Sequence, residues 1–185
     1  MQSIAGLPMR SYSFFARLLF WKQKRVFGEV TEPSLLWARS PWVFTAFAMF
    51  YGALDRGSSP LSPALRSLVM VRVAQLNHCA FCIDINSALL EKRGVPENKI
   101  MMLADWRTSD LFKGEERLAL EYAEAMSVNK VHDELRGRLK DAWSDNTIIE
   151  LTALIAYQTL SAKFNAALDI PAQGFCRLPI TPSST

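Results

Sequence analysis

The spacing of apolar positions along the chain predicts a succession of helices. Leu65, Leu68, Val69, Val73 and Leu76 recur three and four residues apart, which predicts a helix from Pro63 to Leu76, with Ser62 as N-cap and proline at the first helical position. The following segment predicts a helix from His78 to Arg93, with Asn77 as N-cap, Lys92 and Arg93 in the last turn, Gly94 as terminator and Pro96 beyond it. Upstream, Pro33 to Ala38 and Pro41 to Leu54 form a helical pair. Phe44, Phe47, Ala48, Met49, Phe50 and Tyr51 leave the second almost without a polar face, so burial in the core or an oligomer interface is expected. Downstream, the pattern predicts a short helix from Pro96 to Ala104, a loop from Asp105 to Gly114 carrying Trp106 and Phe112, and helices from Glu115 to Ser127 and Asp133 to Trp143. A long last helix runs from Thr147 to Leu168, opened by a capping box of Thr147 and Glu150. No segment alternates with the two-residue period of a strand. The expected fold is all-α, with seven or eight helices packed around the 63–76 and 78–93 pair in a single domain over residues 1–185.

The two ends read differently. Residues 1–26 form an N-terminal arm in which Phe14, Phe15, Leu18, Leu19 and Trp21 interleave with Arg17, Lys22, Lys24 and Arg25. A basic amphipathic helix of this kind suits peripheral contact with an anionic membrane or packing on the body or on another subunit, and the second is the simpler reading. Residues 170–185 form a C-terminal tail.

Composition narrows the picture. Half of the 185 residues are apolar, enough for one core. The net charge of +3, most of it near the N-terminus, is too weak a basic balance to imply nucleic acid as a partner. No secretory signal pattern is present, and the most apolar window, Pro41 to Leu54, is shorter than the ~20 residues of a spanning helix. Three cysteines, two of them in a C-x-x-C, point to a reducing compartment, hence the cytoplasm.

The candidate chemistry lies at Asn77-His78-Cys79-Ala80-Phe81-Cys82. In the first turn of a helix, Cys79 and Cys82 share a face and can close a disulfide by rotamer choice, while the positive end of the helix dipole favours a thiolate. Two buried apolar cysteines are the plain structural alternative. A zinc site would draw on His78, His132 and Cys176, which lack a second ligand pair at metal spacing, so neither metal nor cofactor is called for. His78 is a candidate base or imidazolium partner of Cys79. Glu91 lies too far along the helix, Asp84 points to another face, Glu150 is explained by capping, and His132 falls in a polar connection. Cys176 reaches the pair only if the tail folds back.

The run Leu65-Arg66-Ser67-Leu68-Val69-Met70-Val71-Arg72-Val73-Ala74-Gln75-Leu76-Asn77-His78-Cys79-Ala80-Phe81-Cys82-Ile83-Asp84 resembles the core of the AhpD-like branch of the carboxymuconolactone decarboxylase family. The likeness continues through Asp105-Trp106-Arg107, Phe112, Glu116-Arg117-Leu118-Ala119-Leu120 and Phe164-Asn165-Ala166-Ala167-Leu168, covering roughly Phe27 to Cys176. The resemblance implies a helical homo-oligomer with a redox dithiol, acting as an alkylhydroperoxidase or thiol-disulfide oxidoreductase. Its partners would be a hydroperoxide or disulfide substrate and a dithiol reductant. Peroxidase members carry a glutamate twelve residues before the first cysteine and a histidine four after the second. Here those positions hold Ser67 and Asn86, which can hydrogen-bond but not exchange a proton near neutral pH. The resemblance thus makes Cys79, Cys82, Asn86, Ser67 and His78 the candidate catalytic set. It leaves two alternatives, a binding or assembly module on the same scaffold and a cofactor-free lactone decarboxylase.

Overall fold

A computed structural model describes residues 4–178; the first three residues of the arm and the last seven of the tail lie outside the described residues. Among the described residues there are nine α-helices and no strand: α1 Phe14–Phe27, α2 Glu32–Trp37, α3 Pro41–Leu54, α4 Pro63–Leu76, α5 Ala80–Lys92, α6 Glu97–Met101, α7 Glu115–Ser127, α8 Asp133–Ala142 and α9 Asp145–Ala167. None is long and apolar enough to cross a membrane.

The centre of the molecule is α4. It is apolar almost all round, and every residue from Leu65 to Gln75 is buried, with α5, α7 and α9 packed around it. Its two arginines are tolerated because each has a fixed counter-charge: Arg66 donates to Asp55 and to the Leu61 carbonyl, and Arg72 donates to Glu124. Glu124 also accepts from the Trp106 indole at 2.7 Å and from Arg107 at 2.6 Å, which ties the 105–114 loop to the α4–α7 interface. Each fully buried leucine of this core, such as Leu68, Leu120 and Leu151, contributes about 1.5–3 kcal/mol of apolar burial.

The arm packs on the body. Ser13 caps α1, Tyr12 accepts from Leu7 N–H and donates to the Leu35 carbonyl, and Ala16 and Phe20 bury themselves against Ala38 and Phe44. The opposite face of α1 leaves Phe14, Leu18 and Trp21 exposed.

Several elements depart from the sequence expectation. Within this chain α3 is not buried all round: Trp42 is 87% and Met49 66% exposed, with only Phe44 and Leu54 buried. The short helix is confined to Glu97–Met101. The last helix begins at Asp145, because the Ser144 hydroxyl reaches the Thr147 N–H, and Glu150 forms no capping box. Its carboxylate instead binds Arg56 and the Ser59 hydroxyl across the α3–α4 connection. Ser144 and Thr147 both offer a capping hydroxyl, and the earlier one is used, its Oγ accepting from the Thr147 N–H.

Candidate active site

The two cysteines sit where α4 turns into α5, and the turn is built by backbone geometry. Asn77 ends α4 and hydrogen-bonds through its side chain to the Val73 carbonyl, so it caps the outgoing helix and does not open the next one. His78 follows in the left-handed region at φ 51°, its N–H bonding the Gln75 carbonyl, while Cys79 N–H bonds the Ala74 carbonyl. This pair of bonds is a Schellman closure, in which His78 takes the position usually given to glycine. Cys79 thereby becomes the N-cap of α5, its Sγ accepting from the Cys82 N–H at 3.2 Å. The sequence-based assignment of Asn77 as N-cap is corrected by two residues, and the cysteines occupy the cap and third helical positions.

The imidazole of His78 is exposed, and the residue's visible contribution is its backbone conformation. His78→Gly is therefore expected to leave folding stability unchanged or raised by up to about 1 kcal/mol, as left-handed backbone costs glycine nothing. Thermal unfolding checks it. Lost thiol reactivity at intact stability would instead assign the imidazole a chemical part.

Cys79 and Cys82 are joined as a disulfide, with Cα atoms 5.2 Å apart, and both are buried. Beside them stands Asn165 of α9, whose amide Nδ2 lies 3.2 Å from Cys82 Sγ and 3.7 Å from Cys79 Sγ. An amide N–H and a helix N-terminus are both groups that stabilise an anionic sulfur through charge-assisted hydrogen bonding. Replacing Asn165 by Ala should raise the apparent thiol pKa by about one to two units, as a hydrogen bond to a charged group is worth roughly 1.5–3 kcal/mol. Alkylation rate against pH on the reduced protein measures it; an unshifted profile would remove Asn165 from the site.

One turn past Cys82, Asn86 is buried and donates to the Gln158 carboxamide oxygen at 3.2 Å. Cys82, Asn86 and Gln158, with Trp37, Tyr51, Phe81 and Tyr157, line a pocket of about 160 Å³. The Gln158 Nε2 is buried and has no hydrogen-bond partner among the described residues. Burial pushes the Tyr51 phenol up to about 12, with the Asp55 carboxylate adding to the effect, and burial also pushes the Tyr157 phenol up. Both phenols stay neutral at physiological pH and cannot serve as bases.

Ser67 is buried on α4 but does not line this pocket; its hydroxyl accepts from Arg93 at 2.8 Å, beside the Arg93–Asp55 ion pair. The tail folds back on α5. Asp84 points away from the sulfurs and accepts from the N–H groups of Gln173, Gly174 and Cys176, while Phe175 packs edge-on to Phe81. Cys176 remains a free thiol, raised in pKa by burial. His132 is exposed and precedes α8, and no group of three or more potential metal ligands assembles among the described residues.

Sequence reasoning missed Asn165 and Gln158. A signal was present: they stand seven apart, hence on one face of the helix, and that face also carries Leu151, Leu154 and Ile155, among which amides need a partner.

Comparison with known proteins defines the class. Residues 41–125 match the carboxymuconolactone decarboxylase family. The protein YnjA of Escherichia coli (strain K12) is 48% identical over 174 residues, spanning 93% of this chain and 96% of YnjA. Among solved structures, a peroxidase-related protein with an alkylhydroperoxidase AhpD core from Ralstonia eutropha JMP134 superposes with a TM-score of 0.84 at 18% identity, covering 98% of this chain and 100% of that one. The debrominase Bmp8 superposes with a TM-score of 0.83 at 21% identity, covering 95% of this chain and 94% of that one. The chain belongs to the carboxymuconolactone decarboxylase family, and its fold is that of the AhpD core.

Proposed function

We propose that this protein is a dithiol-disulfide oxidoreductase that reduces hydroperoxides slowly and exchanges disulfides more readily, with Cys82 as nucleophile and Cys79 as resolving thiol. The observation that carries the reading is that Cys82 lines the pocket while bonded to Cys79 at the start of α5, with the Asn165 amide on both sulfurs. The Cys82 thiolate attacks the terminal peroxide oxygen, the O–O bond breaks, and the alkoxide leaves as alcohol after taking a proton from solvent. The sulfenic acid on Cys82 condenses with the Cys79 thiol, releasing water and forming the disulfide. A dithiol reductant then returns both sulfurs to thiols by exchange.

The Asn165 amide lies on Cys82 and the amides of Asn86 and Gln158 line the pocket beside it, and no residue of the lining gives or takes a proton near neutral pH. General acid-base groups supply roughly 10²–10⁴ in rate, which is the factor peroxide turnover forgoes. Disulfide exchange depends mainly on the thiolate and is less affected. Self-assembly belongs to the same proposal, supported by the exposed Trp42 and Met49 on α3.

Anaerobic reduction followed by one equivalent of peroxide, with mass spectrometry of the peptide spanning Cys79 and Cys82, is the test. Loss of two hydrogens and consumption of the peroxide are expected. An unchanged dithiol towards both peroxide and an oxidised disulfide would leave a binding module in its place.

A further inference from the structure

The outward face of α1 lies open to solvent. Phe14, Leu18, Trp21 and Arg25 follow one another at spacings of four, three and four, so they form one stripe along the helix, and all four are exposed. Phe14 is 79% exposed, and the Arg25 guanidinium lies 4.0 Å from the centre of the Trp21 ring. Arg17 and Lys24 stand on one flank of the stripe and Lys22 on the other, all of them exposed. The inner face, with Ala16 and Phe20, is already buried against Ala38 and Phe44.

The charge on this face has one sign. Residues 1–28 contain five cations, Arg10, Arg17, Lys22, Lys24 and Arg25, and no aspartate or glutamate. The first acid, Glu29, lies beyond the helix and accepts from the Gln173 amide at 3.0 Å. Among the described residues none of the five cations forms an ion pair, whereas Arg66, Arg72 and Arg93 in the body all do. The α3 face differs, for Trp42, Val43, Met49 and Phe50 are exposed there on a helix with no charged residue. An uncharged apolar face suits a second copy of the chain; a symmetric contact through α1 would set cations against cations.

We propose that α1 is a membrane-surface helix, lying flat on an anionic bilayer with Phe14, Leu18 and Trp21 among the headgroups and Arg17, Lys22, Lys24 and Arg25 on the lipid phosphates. An apolar stripe that carries aromatic rings and has cations along both edges is complementary to that interface, where rings settle at headgroup depth and long basic side chains reach back to the phosphates. At 14 residues, about 21 Å, the helix is too short to span a hydrocarbon core of about 30 Å, so it lies in the plane of the surface. Tyr12, Ala16 and Phe20 stay buried on the body, so docking needs no unfolding of the arm. The inference is independent of the dithiol chemistry.

The test is flotation of the full chain with vesicles of phosphatidylcholine, alone or mixed with phosphatidylglycerol at about two to one. Partitioning should be at least about tenfold stronger onto the mixed vesicles and should fall as salt is raised. Lys22 and Lys24 are exposed, so the double variant Lys22→Glu, Lys24→Glu should unfold at the temperature of the unmodified chain and partition at least about tenfold more weakly. Trp21→Ser, also at an exposed position, should weaken partitioning, while Trp42→Ser on α3 should leave it unchanged. Equal partitioning onto both vesicles, or none, overturns the proposal and leaves the face to a protein partner. Unaltered partitioning of Trp21→Ser overturns it as well, since the stripe is then not inserted. Sedimentation velocity supplies the remaining check: loss of an oligomer in the α1 variants would make this face a subunit contact and sink the lipid reading.

Discussion

Cys82→Ser should consume no peroxide above background, a fall of roughly 10³-fold or more, because removing a nucleophile costs nearly all of the chemical rate. Cys79→Ser should behave differently. Cys82 keeps its place on the pocket and its Asn165 contact, so one equivalent of peroxide is still consumed. The sulfenic acid then has no partner thiol three residues away and persists, where it can be trapped by dimedone or oxidised further. Cys176 does not rescue it, being a free thiol that burial holds in the protonated form, on a tail anchored to Asp84. Single-turnover peroxide assays with mass spectrometry of both variants decide the matter. If Cys82→Ser traps a sulfenic acid and Cys79→Ser is inert, the two roles are exchanged. If both variants turn over, neither sulfur is the centre.

The second large effect concerns folding. Glu124→Ala should destabilise the protein by about 3–5 kcal/mol, because Arg72 is then a buried charge without its counter-ion. The Trp106 indole, 2% exposed, loses its acceptor in the same variant. Such a loss is a large fraction of the 5–15 kcal/mol typical of a domain. Urea unfolding at neutral pH measures it, and a loss under about 1 kcal/mol would mean that water reaches Arg72.

The same carboxylate predicts acid sensitivity. Burial pushes its pKa up, but the Trp106 indole, Arg107 and Arg72 outweigh that and hold it below its ordinary 4.5. A carboxylate with a depressed folded pKa contributes stability above its unfolded value and loses it as pH falls through the folded one. Stability should therefore drop below about pH 4.5, and less steeply in Glu124→Gln, which does not titrate.

The helical class and the position of the dithiol at a helix start were legible in the chain, because spacing, proline at the first turn and serine caps are local signals. Ser62 and Pro63 open α4 as their order implies. Local signals failed where two candidates competed or where a rule was broken. Nothing local announced that His78 would take a left-handed backbone without glycine, and that choice moved the cap from Asn77 to Cys79. The acid of a formal capping box, Glu150, was drawn away by Arg56, nearly a hundred residues earlier in the chain.

From sequence alone came the two sulfurs and their spacing, and through the family resemblance came Ser67 and Asn86 where it implies a glutamate and a histidine. Only the tertiary structure brought Asn165 onto the sulfurs, paired Asn86 with Gln158, placed Ser67 beside Arg93, and set Cys82, Asn86 and Gln158 on one pocket. The reason is physical. Periodicity records which face of a helix avoids water, whereas the partner of a buried polar group is set by how distant helices cross, and no local pattern encodes that angle.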